Sequence, residues 1–441
     1  PVTHPVQGHQ VSAQRLKRTP AECSPAETAP ASPKTPTNSQ PVSPSVREHT
    51  AHTHILEIDP QGVKPVLVDS ALFVSDFSMN TVIRGMNGAT EVHRALPHIV
   101  ISTRNTAKNC TAGRLRGELT PVFRNVLVHT SYLAEASDKW DAARRVNAAR
   151  ICAVGALLPQ GWILLGQGAA FTHGIDTFAG LFDIEVGKGA RTRRRTETLP
   201  EITIPLDSSA AGVVPAAQLV LRQAGVDDEH LSTRETGLRV PDLATTAAMC
   251  ACDLPPKEAS VAVSGILRVM SSFSRFHEKI AASRRREEDA RTEVMRRLSQ
   301  MPRTRGCRKA RAVIATADAA CESVPERVLV WILRAAGFPE VRTQVHHRVN
   351  GRDYYVDVEV PPWDIAVESD SRGKHETNGE IAAQIHQSYE RQAARQRDLE
   401  SIGLSFVRFS PSDYEDPDAV ALDVARRCRT TPRRPVKLLL P

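Results

Sequence analysis

Residues 353–369, DYYVDVEVPPWDIAVES, contain two short runs in which apolar and polar side chains alternate, a period of two that is typical of β-strands. The tetrapeptide PPWD between the runs predicts a four-residue hairpin loop, which places Val360 beside Ile365. Counting back three residues on each strand then places Asp357 directly opposite Glu368. The sequence therefore predicts that two carboxylates face each other across neighbouring strands.

The segments around this hairpin predict a compact set of elements. Ser323 and Glu326 have the spacing of a capping box at the start of a helix. The other predicted elements are the strands 341–349, 353–360, 363–369 and 404–409 and the helix 380–402. The order is helix, three strands, helix, strand, and the period of two places Val356, Val358 and Val360 on one face of the central strand.

The predicted carboxylate pair has a direct chemical consequence. Like charges about 5 Å apart destabilise a sheet unless a cation lies between them. Mg²⁺ binds through one or two carboxylates with water and phosphate oxygens, so Asp357, Glu368 and Asp370 are candidate ligands of Mg²⁺ or Mn²⁺. Such an ion generates hydroxide from water and stabilises charge on a phosphodiester. In the alternative interpretation an arginine neutralises the pair, and the candidates are Arg348, Arg352 and Arg395.

Three further positions are ambiguous from the sequence. Glu326 is a candidate metal ligand or base, but its capping role also explains it. His375 and Lys374 follow the second acidic strand, where they could assist proton transfer or contact a scissile phosphate, or simply be exposed. The tandem histidines at 346 and 347 point to opposite faces of a strand, so we interpret both as structural.

Positive charge is concentrated upstream of this region. Residues 261–311 carry 14 Lys or Arg against five Asp or Glu, a net +9 that exceeds the +7 of the whole chain. A solvated connecting helix with pairs four residues apart explains most of it. The residues without nearby acids are better candidates for contact with nucleic-acid phosphates, and they include Arg303, Arg305, Arg308 and Lys309, with Arg395 added from the later helix.

Composition bounds the rest of the chain. The 441 residues are ample for two or three domains, and 41% hydrophobic residues are ordinary for a globular protein. Residues 1–54 are rich in Pro, Ser and Thr, which predicts a disordered tail. The eight cysteines contain no C-x-x-C pair, and neither a secretory signal nor a membrane-spanning segment is visible. We therefore expect a cytoplasmic protein with reduced thiols that does not enter the membrane.

The region 322–413 resembles the very-short-patch-repair-like endonuclease domains of the PD-(D/E)XK superfamily. The matching residues are Ser323-x-x-Glu326, Gln344, Asp357, Glu368-x-Asp370, His375, Arg395-x-x-x-Leu399-x-x-x-Gly403 and Val407-Arg408-Phe409. The resemblance implies a restriction-endonuclease-like mixed sheet flanked by helices. It also implies that Asp357 and Glu368 bind the metal, that Asp370 stands where many nucleases have lysine, and that Glu326 completes the site.

The upstream region resembles actinobacterial proteins in which such a domain follows an AbiEi-type antitoxin-like segment. The matching segments are 102–104, 112–115, 122–128, 169–174, 237–247 and 305–318. The resulting prediction is a mixed α/β (α+β) chain, and its parts are a disordered tail at 1–54, a degenerate winged-helix-like region at 55–130, an AbiEi-like α+β region at 131–260, a basic helical linker at 261–320, the endonuclease-like domain at 321–428 and a tail at 429–441.

Three functions follow from these observations. The first is a metal-dependent DNA endonuclease that hydrolyses phosphodiester bonds. The second is a noncatalytic DNA-binding regulator or antitoxin, with a toxin as its partner, that keeps the nuclease fold as a scaffold. The third is an interaction module whose basic linker binds an acidic protein.

Overall fold

The computed structural model describes residues 87–178, 180–189, 192–204, 212–301, 306–369, 382–429, 435–437 and 439–440. Helices and mixed sheets alternate along this part of the chain, which confirms the predicted α/β (α+β) class. The predicted tail at 1–54, and the winged-helix-like region as far as residue 86, lie outside the described residues.

The first described elements form a small three-stranded sheet with two helices. The elements are α1 (Asn87–Ala95), β1 (Ile99–Ile101), α2 (Ala107–Leu115), β2 (Leu119–Phe123) and β3 (Val126–His129). All strands are antiparallel, in the order β1-β3-β2. The apolar run from Val122 to His129 is split by a tight turn between β2 and β3.

The next region contains a six-stranded sheet, a separate strand pair and three helices. Its elements are α3 (Thr130–Ala134), α4 (Lys139–Leu157), β4 (Ile163–Leu165), α5 (Gly166–Thr172), β5 (Ile184–Lys188), β6 (Arg195–Leu199), β7 (Ile202–Ile204), β8 (Gly212–Val214), β9 (Ala217–Gln223), β10 (Leu231–Thr233) and β11 (Arg239–Pro241). The strand order is β10-β11-β4-β5-β9-β6, while β7 and β8 pair separately. The Asp138 carboxylate caps α4 by accepting from the amides of Trp140 and Asp141.

Four helices occupy the next part of the chain, which includes the predicted basic linker. They are α6 (Leu243–Asp253), α7 (Pro256–Ser271), α8 (His277–Gln300) and α9 (Cys307–Thr316). Val263 of α7, Val294 of α8 and Ile314 of α9 are buried in one apolar cluster. These helices therefore form a packed layer rather than a solvated connector. Among the helices that the structure describes, none is at once long and apolar enough to cross a bilayer.

The C-terminal part has the predicted element order. Its elements are α10 (Val324–Ala336), β12 (Arg342–Val349), β13 (Arg352–Val360), β14 (Ile365–Ser369), α11 (Ala382–Glu400), β15 (Ser405–Phe409) and a further helix, α12 (Pro417–Arg427). The sheet order is β12-β13-β14-β15; the first two pairings are antiparallel and the last is parallel. Helix α11 is the crossover that connects the two parallel strands.

The core of this part continues into the helical layer. Val328 and Leu329 of α10 lie in the same cluster as Val358 and Val367 of the sheet, and this cluster also holds the buried residues of α6 to α9. Gly265 of α7 marks the close approach, since a Cβ there would lie 2.8 Å from the Arg327 guanidinium. Helices α6 to α10 and α12 thus share one core with the C-terminal sheet.

The predicted valine alternation on β13 is wrong at one position. Val358 and Val360 belong to the cluster shared with α10, but Val356 packs in a separate cluster with Leu399 of α11. The pairs on either side of Gln344 in β12 place it opposite Asp357, and Gln344 has a left-handed φ of 51°. The regular period of two on β13 is therefore interrupted between Val356 and Val358, next to a left-handed residue of the neighbouring strand.

The last residues include a packed segment rather than only a tail. Leu439 is fully buried, and its carbonyl accepts a hydrogen bond from the Trp331 indole at 3.1 Å. The Val436 amide donates to the Ala335 carbonyl at 2.9 Å. Part of the predicted tail at 429–441 therefore covers the outer face of α10.

Candidate functional site

Three carboxylates come together where α10 meets the sheet. Glu326 lies in the first turn of α10, Asp357 lies on β13 and Glu368 lies on β14. The pairs Val360–Ile365 and Val358–Val367 have the predicted register. One more step along both strands brings Asp357 opposite Glu368, as the hairpin pattern predicts.

Glu326 is fixed by a dense set of hydrogen bonds. Its carboxylate accepts from the Glu322 amide at 2.8 Å, from the Ser323 hydroxyl at 2.7 Å and from the Gln344 side-chain amide at 3.3 Å. The Ser323 oxygen in turn accepts from the Glu326 amide at 3.4 Å. The helix cap is thus confirmed, although the carboxylate takes the amide of Glu322 rather than that of the N-cap residue.

Asp357 is the least neutralised of the three. Among the described residues, no hydrogen bond or ion pair reaches its half-buried carboxyl group. Burial, followed by repulsion from Glu326 and Glu368, raises the pKa of Asp357 to about 7, although Arg395 opposes the shift. The Asp357 carboxyl group therefore keeps its proton to a higher pH than an ordinary aspartate does.

Glu368 is held by two arginines. The Arg395 guanidinium lies 2.5 Å from Oε1, and Arg408 lies 3.2 Å from Oε2. The carboxylate is buried, with only 5% of the residue exposed. Arg395 also donates to the Tyr355 carbonyl at 2.7 Å, which ties α11 to the sheet. Neutralisation by Arg395, left open by the sequence, is what the structure has at Glu368.

Arg408 is a residue of this site that the sequence resemblance included but to which no role was assigned. It lies on β15 and is the parallel-strand partner of Glu368. Nη1 of Arg408 donates to Oε1 of Gln396 at 2.6 Å. The sequence shows only that Arg408 is a charged residue in the otherwise mostly apolar run SFVRF. The crossover helix separates β14 from β15 in sequence, so no local pattern gives the register of this strand pair.

Tyr414 is a residue that the sequence did not single out. It is buried in the short helical turn after β15. Burial raises the pKa of Tyr414, and the neighbouring charges of Asp357 and Glu326 raise it further. Its phenol therefore remains protonated and lies near the two carboxyl groups.

These contacts define how a divalent cation would fit. The charge of Glu368 is already balanced by Arg395 and Arg408, whereas Asp357 and the nearby Glu326 have no equivalent partner among the residues that the structure describes. Carboxylate oxygens are the ligands that Mg²⁺ and Mn²⁺ prefer. Asp357 fits such an ion as it stands, and Glu368 would join only after Arg395 leaves its Oε1.

Several predicted site residues lie outside the described residues. They are Asp370, Lys374, His375, Arg303 and Arg305. Of the basic residues that are described, Arg308 is exposed. Lys309 instead donates to the carbonyls of Cys252, at 2.8 Å, and Leu254, and burial lowers the pKa of its amine. The ammonium group of Lys309 therefore links α9 to the C-terminal end of α6.

The tandem histidines have different partners, which confirms that they face opposite sides of β12. His346 contacts Asp353 at 2.8 Å, and His347 contacts the buried Glu359 at 2.7 Å. His277, from the start of α8, stacks on His346 with ring centroids 4.2 Å apart. Sequence reasoning missed this third histidine because it lies 69 positions earlier in the chain.

Comparison with known proteins does not add to this geometry. No protein-family model, curated protein or solved structure matches the chain. The resemblance to the PD-(D/E)XK and AbiEi families stays a prediction that rests on the quoted residues.

The raised pKa of Asp357 predicts a pH-dependent effect on stability. An aspartate in an unfolded chain has a pKa of about 3.9, so ionisation of Asp357 costs the folded state stability as the pH rises from about 4 through about 7. We expect Asp357→Asn to raise the free energy of unfolding by about 2 kcal/mol at pH 8, because a half-buried carboxylate keeps part of its hydration. The gain should shrink as the pH falls toward 4.

Urea unfolding at pH 8 and at pH 4.5 measures this effect. The matched control is Asp364→Asn, the same change at an exposed position on the same hairpin. If the Asp357→Asn protein is no more stable than the parent chain at pH 8, the charge of Asp357 is already compensated.

Proposed function

We propose that this chain is a Mg²⁺- or Mn²⁺-dependent DNA endonuclease with Asp357 at the centre of its site. The observation that carries the proposal is the position of Asp357 between Glu326 and Glu368, where burial and two like charges raise its pKa to about 7. A half-buried carboxyl group of this kind is common at functional sites and costly elsewhere.

The residues present define a role for the metal. Asp357 would hold the ion, with Glu326 beside it and with Glu368 after rearrangement of its ion pairs. When bound, the ion would lower the pKa of water and stabilise negative charge on the phosphodiester. Glu326 keeps its orientation through the Ser323 and Gln344 hydrogen bonds, so it can position a water molecule without moving.

The two arginines fit a phosphate-binding role. Arg395 and Arg408 approach the same carboxylate from α11 and β15, and guanidinium groups bind phosphate oxygens as readily as carboxylates. A phosphodiester placed beside Glu368 would compete for both arginines. Transfer of the arginines to the DNA backbone would then release Glu368, which couples substrate arrival to completion of the acidic site.

The sheet topology supports the same proposal. A mixed four-stranded sheet with a helix before it and a crossover helix before its last strand is the arrangement that the PD-(D/E)XK resemblance implies. The exposed Arg308 is one candidate for contact with the DNA backbone. A cytoplasmic location belongs to the proposal, because DNA is the substrate and the cysteine pattern suits reduced thiols.

Plasmid cleavage tests the proposal directly. Full-length protein is incubated with supercoiled plasmid and Mg²⁺, Mn²⁺, Ca²⁺ or EDTA. We expect nicked or linear product with Mg²⁺ or Mn²⁺ and none with EDTA. Absence of metal-dependent cleavage on supercoiled, linear, single-stranded and mismatched DNA would refute the proposal.

A second candidate function is a noncatalytic DNA-binding regulator or antitoxin of the AbiEi type. The observation that favours it is the pair of arginines on Glu368, which balances the charge of this carboxylate without a metal ion. Such a protein should shift DNA from its own promoter in a salt-sensitive manner, and Glu368→Gln should not change the shift. Co-purification with a toxin whose activity it suppresses would support the same candidate.

A further inference from the structure

A second group of metal-ligand side chains lies away from the carboxylate site. His277 begins α8, His346 lies on β12 and Asp353 lies on β13. One potential ligand atom from each residue lies within 4.8 Å of the other two. His277 is separate in sequence from the hairpin that carries the other two, so the fold itself brings the three together.

The contacts within this triad orient the ring nitrogens. Nε2 of His346 lies 2.8 Å from the Asp353 carboxylate, and the His277 ring stacks on the His346 ring at an interplanar angle of 8°. Nδ1 of His277 lies 3.2 Å from the Tyr355 hydroxyl. This contact helps to hold the His277 ring in place, as hydrogen-bond partners of ligand side chains do at metal sites.

We propose that His277, His346 and Asp353 bind one divalent transition-metal ion of the Zn²⁺ class. Two imidazoles and one carboxylate are a donor set that suits Zn²⁺, Co²⁺ or Ni²⁺, whereas Mg²⁺ prefers oxygen ligands. Three protein ligands leave a fourth position of a tetrahedral ion for water. The proposal does not depend on the nuclease function.

Binding requires the stacked imidazole rings to rotate as well as to approach. Zn²⁺–nitrogen bonds are about 2.0–2.1 Å long and lie in the ring plane, so ligand atoms within 4.8 Å must each move by about 1 Å toward a common centre while the rings leave their parallel arrangement. The His277 and Asp353 side chains are each 38% exposed, and His346 is 22% exposed, so these rotations displace little packed structure. The same exposure gives the ion an open path from solvent.

The surrounding charges are mixed. Arg275 lies over the Tyr355 ring at 5.9 Å, and Arg348 lies close enough to act on Asp353, so both oppose a cation. Glu278 lies 3.6 Å from Nε2 of His277 and offsets part of this repulsion. We therefore expect an ion that binds through ligand chemistry rather than through net negative charge.

The ion would connect parts of the fold that meet at this point. It would join the start of α8, which belongs to the helical layer, to the β12–β13 hairpin, which carries Asp357 farther along the same strand. Metal binding should therefore raise the melting temperature of the whole chain.

Titration with Co²⁺ tests the site, because visible absorption bands report its ligands directly. Metal-stripped full-length protein should bind one equivalent of Co²⁺ that Zn²⁺ displaces and that excess Mg²⁺ does not. We expect His277→Gln and His346→Gln each to weaken Co²⁺ binding at least about 10-fold. Both variants should also lose the rise in melting temperature on addition of Zn²⁺.

Two histidines provide matched controls. His347→Gln changes the neighbouring residue on the opposite face of the same strand, and His93→Gln changes an exposed histidine that is paired with a glutamate. Both controls should bind Co²⁺ as the parent chain does. The proposal is overturned if the parent chain shows no saturable Co²⁺ binding, or if folded His277→Gln protein keeps the parent affinity.

Discussion

Asp357→Asn is expected to reduce Mg²⁺-dependent plasmid nicking by at least about 100-fold while the chain stays folded. The physical reason is that Asn cannot supply the negative oxygen that a divalent cation needs, although it has almost the same shape as aspartate. The parent carboxyl group is half-buried beside Glu326 and Glu368, and removal of its charge relieves repulsion among the three. Loss of cleavage should therefore accompany a gain in stability.

This combination separates a functional carboxylate from a structural one. Replacement of a structural aspartate by Asn lowers the stability of the protein. Replacement of a strained functional aspartate removes activity without lowering the stability. Cleavage rates at saturating Mg²⁺ are compared with those of Asp364→Asn, which should cut as the parent chain does. Full cleavage by Asp357→Asn protein would remove Asp357 from the proposed site.

The largest loss of stability is expected at Asp318, between α9 and α10. Its buried carboxylate accepts from Arg284 at 2.9 Å, from Arg334 at 2.8 Å and from the Ala320 amide at 3.0 Å. Burial alone would raise the pKa of Asp318, but the two guanidinium groups hold it well below its usual range. Asp318→Asn leaves these arginines short of negative charge and should cost about 3–5 kcal/mol of unfolding free energy.

Urea unfolding at pH 7 measures this loss. Because the pKa is depressed in the folded chain, the contribution of Asp318 is present above about pH 4 and is lost as the pH falls further. Asp289→Asn is the control, since it makes the same change at an exposed position of α8 and should leave the midpoint unchanged. A cost below about 1 kcal/mol for Asp318→Asn would show that the network does not hold the helices together.

Local sequence patterns could predict those parts of the fold that depend on residues close together in the sequence. The β13–β14 register followed from strand alternation and a four-residue loop, and the start of α10 followed from Ser323 and Glu326. The left-handed backbone at Gln344 could not be read from the residue itself, because Gln has no preference for that conformation. Val356, which packs in the other apolar cluster, is one residue away from the position opposite Gln344.

Of the residues in the candidate site, only the acidic ones could be predicted from the sequence. Asp357 and Glu368 are placed by one hairpin, but the charges that balance Glu368 come from α11 and β15, after a crossover. The role of Lys309 also depended on tertiary structure, since its carbonyl partners lie at the C-terminal end of α6, more than 50 positions earlier. Long-range pairing of this kind leaves no periodic signal in a single sequence.

The apolar cluster shared by α7, α10 and the last sheet limits how the protein can be divided. A polypeptide that started near Cys321 would present Val328, Leu329 and Ile332 without the helices that cover them. Such an uncovered apolar surface favours self-association. The C-terminal portion from α10 onward is therefore not an exchangeable module, and its transfer into another protein would require the residues from about 243 onward.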